Sequence, residues 1–224
     1  MSQHISLESF DKDGAVREAA EAAGANRRDF LRKGAVAGGG FVAGGVLFSG
    51  FMSPAEAAIS TARKSKRNDV KILNYALTLE YLESAFYTAA LANKVSGTDA
   101  ALVRFTEVVE AHEAAHVTGL KAALGNAAVK KPSFDFGAAV TDLATYRATA
   151  QALEDTGVSA YAGQGPNLLQ RPVVKVALSI HSVEARHAAW IRYLNGVTPA
   201  PATYDKARSE KAVLKIVTDT KFIQ

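Results

Sequence analysis

Four stretches of the chain carry apolar residues at helical spacing, each bounded by residues that start or stop helices. The first runs from about Val70 to Lys94 and ends near Val95-Ser-Gly-Thr-Asp99, where Thr98 or Asp99 can cap the next helix. The second extends to about Leu124 and stops at Gly125-Asn126, a helix C-terminal signal. A third spans about Ala138 to Ala162 and is closed by Gly163-Gln-Gly-Pro-Asn167. The fourth ends at Leu194, ahead of Asn195-Gly-Val-Thr-Pro199, with Pro172 in its first turn or just before a restarted helix. The pattern predicts an all-α four-helix bundle.

Connection lengths predict how the helices are joined. Only a few residues separate helices 1 and 2, so these should be antiparallel neighbours. Between helices 2 and 3 lie the twelve residues Asn126 to Gly137. Extended at ~3.3 Å per residue they reach roughly 40 Å, about the length of a 25-residue helix. A long crossover between helices 2 and 3, flanked by two short hairpins, is therefore expected.

The two halves echo each other. Leu79, Glu80 and Tyr87 recur 74 positions later as Leu153, Glu154 and Tyr161, and Glu113, His116 and Gly125 recur 71 positions later as Glu184, His187 and Gly196. A duplicated hairpin facing its copy places equivalent side chains around a pseudo-twofold axis. Both Glu113-Ala-Ala-His116 and Glu184-Ala-Arg-His187 put a carboxylate and an imidazole one turn apart on one helix face. Glu80 and Glu154 add one carboxylate from each remaining helix. Two single glutamates plus two Glu-x-x-His pairs form the ligand set of dinuclear iron or manganese carboxylate sites, and four carboxylates with two imidazoles suit those ions better than copper or structural zinc. All four histidines outside the leader, at positions 112, 116, 181 and 187, fall on the two motif helices.

With these motifs in place, Leu79-Glu-Tyr-Leu-Glu-Ser-Ala-Phe-Tyr87 and Ser182-Val-Glu-Ala-Arg-His-Ala-Ala-Trp-Ile-Arg192 resemble the ferritin-like superfamily, in particular its desiccation-related, export-associated branch. The resemblance covers about Val70 to Leu194. It implies a ferritin-like four-helix bundle in which Glu113 and Glu184 bridge two ions while Glu80, Glu154, His116 and His187 bind terminally.

Other residues near this set have two readings each. Glu83 sits one turn after Glu80 on a similar face, but its counterpart is Gly157, so symmetry selects Glu80 as the ligand. Tyr87 and Tyr161 fall two turns beyond the single glutamates and are candidates for hydrogen-bonding the ligands or carrying an oxidising equivalent; the plainer expectation is a buried tyrosine with a satisfied hydroxyl. Glu110 and His181 precede the motifs by one turn, either as groups supporting the ligands, as Glu83 would also be, as extra ligands, or as a polar end of the core. His112 is expected off the ligand face and exposed, Arg186 outward or paired with a carboxylate, and Trp190 in the core.

Composition narrows the chemistry further. With 48% hydrophobic and 21% charged residues the chain can bury a core. Its net charge of +4 is mild and its basic residues are dispersed, so no nucleic-acid footprint is present. The absence of cysteine excludes disulfides, thiolate nucleophiles and sulfur-ligated metals, so a metal must be held by oxygen and nitrogen.

The first sixty residues read differently from the rest. Arg27, Arg28, Phe30 and Leu31 resemble a twin-arginine export signal, followed by an uncharged stretch from Ala35 to Met52 and the small-residue cleavage pattern Ala55-Glu-Ala57. The expected organisation is a signal segment over 1–57, a linker over 58–69, a bundle over 70–196 and a C-terminal tail over 197–224. The export machinery is then a partner, and the destination is periplasmic or extracellular. A retained anchor over 35–52 is the alternative, weakened by the seven glycine and serine residues in that run. Function is expected to be redox handling of peroxide, oxygen or ferrous iron in stress protection. The rivals are a non-catalytic protective bundle and an iron-storage subunit, the last implying a homo-oligomer.

Overall fold

The computed structural model describes residues 59–224. The signal segment, its cleavage pattern and the alternative anchor lie outside them. Among these residues are four long α-helices and one short one: α1 (Lys66–Asn93), α2 (Ala100–Leu124), α3 (Leu143–Gln164), α4 (Arg171–Leu194) and α5 (Glu210–Thr220). Among the described residues there is no strand, only an isolated bridge between Phe134 and Ile223, and no helix is long and apolar enough to cross a membrane.

The helix boundaries follow local chemistry. Ser65 accepts from the Asn68 amide and starts α1 one turn before the apolar pattern does. Asp99 accepts from the amides of Ala101 and Leu102 to start α2, and Asp142 from Thr145 to start α3, after a single turn of 3-10 helix over Gly137–Val140. Pro172 lies in the first turn of α4, where its missing N–H costs nothing. Gln170 gives α4 no side-chain cap; instead buried Asp69 of α1 accepts from the amides of Leu169 and Gln170, tying the start of α4 to the start of α1.

The helices pack as two hairpins, α1 with α2 and α3 with α4, laid face to face. The linker from α2 to α3 runs the length of α1. It is pinned by Asn74, whose amide bonds the backbone of Ala127 and Val129 at 2.9 Å, and reaches the far end where Phe136 meets Phe86 edge-on at 5.5 Å. The crossover explains why α1 is buried on nearly every side: it packs against α2, α3 and the linker. Phe86, Tyr87, Phe105 and Tyr146 form a fully buried aromatic cluster at that end, each side chain contributing about 1.5–3 kcal/mol of hydrophobic stabilisation.

Residues 197–224 are more than a tail. The segment returns to α3, where the Arg208 amide donates to Ser159, and α5 packs against the same helix. Phe222 and Gln224 then exchange backbone hydrogen bonds with Ser133 and Asp135, clasping the crossover.

Candidate metal centre

The four helices of the bundle each aim acidic side chains at a common interior point. Glu80 and Glu83 come from α1, Glu113 and His116 from α2, Glu154 from α3, and Glu184 and His187 from α4; all seven are buried. Burying five carboxylates together is costly unless something compensates their charge, and among the described residues the two imidazoles are the cationic groups placed to do so.

The atoms fall into two sets. One ligand atom from each of Glu80, Glu113, His116 and Glu184 lies within 4.8 Å of the others, and the same holds for Glu113, Glu154, Glu184 and His187. Glu113 and Glu184 belong to both. Glu113 directs Oε2 to His116 Nδ1 at 3.2 Å and Oε1 to His187 Nδ1 at 3.0 Å, while Glu184 directs Oε1 to His116 at 3.1 Å and Oε2 to His187 at 3.8 Å. Each of these carboxylates thus spans the two imidazoles. Glu80 approaches only His116, at 3.1 Å, and Glu154 only His187, at 3.3 Å.

Much of this set is without hydrogen bonds. Glu113 Oε1, Glu154 Oε2, both oxygens of Glu184 and His187 Nδ1 are buried with no aligned partner, although oxygen and nitrogen stand 3.0–3.8 Å apart. Buried polar atoms are otherwise almost always paired. Five orphaned donor atoms converging at that spacing fit cations placed between them, and the oxygen-rich donor set fits iron or manganese.

One oxygen each of Glu154 and Glu80 is held from across the bundle. Tyr87 of α1 donates to Glu154 Oε1 on α3, and Tyr161 of α3 donates to Glu80 Oε1 on α1. Both phenols have pKa values raised well above the usual range by burial and by those carboxylates, so they stay protonated donors.

Without a cation the imidazoles take up the charge. Burial works to lower the pKa of His187, but Glu154, Glu113 and Glu184 push it up to about 12; His116 is raised for the same reason, chiefly by Glu80. Burial and then the neighbouring carboxylates raise Glu113 well above the carboxylate range. Burial likewise brings Glu154 to about 6, against the pull of His187. Glu184 goes the other way: burial would raise it, yet His116 and His187 together hold it at about 2.

Glu83 is buried within the same group, and burial followed by Glu184, Glu154, Glu113 and Glu80 raises it well above its ordinary value. Gly157 makes room for it: a Cβ there would stand 3.2 Å from Glu184 Oε2 and 3.3 Å from Glu83 Oε1. The symmetry that favours Glu80 over Glu83 therefore hides a complementary pair, a carboxylate on one helix and a gap on the other.

Several neighbours lie elsewhere than the sequence suggests. His112, expected to be exposed, is half-buried and stacks on His187 with ring centroids 5.2 Å apart, its Nδ1 2.9 Å from His187 Nε2. The reason is tertiary: α4 covers that side of α2. Burial and then the adjacent imidazoles lower the His112 pKa. Glu110 accepts from Thr88 at the surface and does not touch the ligands. His181 is half-buried with Nδ1 unpartnered and makes no hydrogen bond to the cluster. Arg186 turns outward to Ser182, and Trp190 packs edge-on against Phe105 from a half-buried position.

Comparison with curated proteins yields no match. The family described as Ferritin-like domain matches residues 68–197, more than half of the chain and the span that contains α1 to α4 with every residue of the cluster. By that match and by its helical bundle with a buried carboxylate and histidine cluster, the chain belongs to the ferritin-like family.

Proposed function

We propose that this protein binds two iron or manganese ions through Glu80, Glu113, His116, Glu154, Glu184 and His187, and uses them for redox handling of peroxide, oxygen or ferrous iron. The observation that carries this reading is the convergence of five orphaned buried donor atoms between the two imidazoles. Two divalent cations would balance the charge of four carboxylates, which the bare cluster offsets through the raised pKa values of its histidines and of Glu113 and Glu154. Such ions would supply the paired electron changes that peroxide reduction or oxidation of ferrous iron requires.

The protein's own groups set the conditions. Glu113 and Glu184 face both positions with opposite oxygens, so either can span the pair. Tyr87 and Tyr161 hold the outer oxygens of Glu154 and Glu80 and leave one oxygen of each for the centre. Glu83 is buried within the same group, and burial followed by Glu184 raises its pKa, which favours its uncharged form. The shell of buried apolar side chains excludes bulk water.

The twin-arginine-like leader supports export of the folded protein, since that pathway carries proteins across after they have folded. A redox role outside the cytoplasm in stress protection follows from the two together. Elemental mass spectrometry of protein purified from the exported fraction, without added metal, tests the centre, and sequencing of its N-terminus tests cleavage before Ala58. About two iron or manganese ions per chain support the reading. Folded protein without stoichiometric metal would instead favour a non-catalytic protective bundle.

A further inference from the structure

The pseudo-twofold symmetry of the centre breaks at the two imidazoles. Among the described residues His116 makes its hydrogen bonds through Nδ1, to Glu80 and Glu113, and no side chain receives its Nε2. His187 turns Nδ1 to the carboxylates and sets Nε2 2.9 Å from His112 Nδ1, with the two rings nearly parallel at 23°. The residue matched to His112 by the 71-position offset is Val183, which cannot do the same for His116.

We infer that His112 is a positioning residue that orients His187 and makes the two halves of the centre unequal. This rests on the metal reading of the site. If Nδ1 of His187 faces a cation, its only proton is on Nε2, which must donate; His112 Nδ1 must then accept, and the His112 proton must sit on Nε2. A ligating imidazole whose other nitrogen donates to an acceptor is locked in tautomer and ring angle and is a stronger base, which is worth roughly 10–100-fold in metal affinity. The half formed by Glu113, Glu154, Glu184 and His187 therefore fills first, and the half built on His116 fills second.

The experiment has two arms. Nitrogen-15 NMR of histidine-labelled, metal-free protein should show His187 Nε2 protonated and His112 Nδ1 bare; a proton on His112 Nδ1 overturns the inference without reference to metal. Cobalt titration of the full chain should then show two unequal steps. His112→Ala should weaken the tighter step about 10–100-fold and leave the other unchanged, while His112→Asn, whose amide oxygen can accept in place of Nδ1, should restore it. Parent-like steps in His112→Ala, equal weakening of both steps, or no recovery in His112→Asn would each overturn it. If the parent chain binds no cobalt, the metal reading fails and the affinity role with it, while the nitrogen spectrum still decides the hydrogen bond.

Discussion

Tyr161 reaches from α3 to donate its phenolic hydrogen to Glu80 on α1, and the bond is returned in mirror fashion by Tyr87 and Glu154. Each hairpin thereby holds a buried carboxylate of the other. The two bonds are cross-braces between hairpins as well as supports for the centre, and this double role makes them testable.

Tyr161→Phe and Tyr87→Phe should each destabilise the protein by about 1.5–3 kcal/mol, the range for a hydrogen bond to a charged group. Each should also weaken metal binding on the side of its own glutamate, Glu80 or Glu154. Denaturant unfolding and metal titration of the two variants check this. Unaltered stability together with lost oxidation activity would instead favour tyrosines that carry an oxidising equivalent.

Bridging and terminal positions predict different losses. Glu113→Ala or Glu184→Ala removes a group shared by both sets and should abolish stoichiometric binding. Glu80→Ala removes a member of one set only and should leave about one ion per chain, bound near His187. Elemental analysis of the three variants decides it; one retained ion in Glu184→Ala would contradict the shared role.

The metal-free protein should lose stability as pH rises. His187, raised from 6.5 to about 12 in the fold, contributes stability fully present below its unfolded value and lost as pH climbs toward the folded one. Glu154, raised from 4.5 to about 6, has the same sign in a lower window. Glu184, held at about 2, has the opposite sign, but its contribution is already complete above its ordinary value. From about pH 5 to about pH 9 the melting temperature of stripped protein should therefore fall. Cations need these groups deprotonated, so the gain in melting temperature on adding metal should grow over the same range. Paired thermal scans with and without chelator measure both trends, and a metal-induced gain that shrinks with pH would contradict ligation by these residues.

Gly163→Ala should be damaging although alanine is the better helix former by about 1 kcal/mol. Its Cβ would lie 1.8 Å from the Arg208 carbonyl oxygen, a backbone atom held by the tail. The segment leading into α5 must then lift off α3. A lower melting temperature and faster proteolysis between Pro199 and Ser209 are expected; a variant more stable than the parent would show that the tail does not dock there.

The helices, the long crossover and the six proposed ligands are legible along the chain because they rest on local or periodic relations. Glu113 and His116, like Glu184 and His187, share a face because helical residues three apart always do. The repeat then picks out Glu80 and Glu154. Symmetry favours Glu80 over Glu83 and leaves Glu83 as a supporting group; that a carboxylate faces a glycine across the bundle is visible only in space.

Fold class, the doubled motif and the candidate donor set were therefore readable from the order of residues, since one-turn spacing and a repeated pattern survive any arrangement of the helices. The partners of those residues were not. Tyr87 lies on the same face of its own helix as Glu80 but bonds Glu154, His112 points away from the ligand face of α2 yet meets His187, and Arg208 touches Gly163 from 45 positions away. Such contacts depend on the distance and rotation between hairpins, quantities set by packing of the whole core and by the crossover along α1, which no local stretch of sequence encodes.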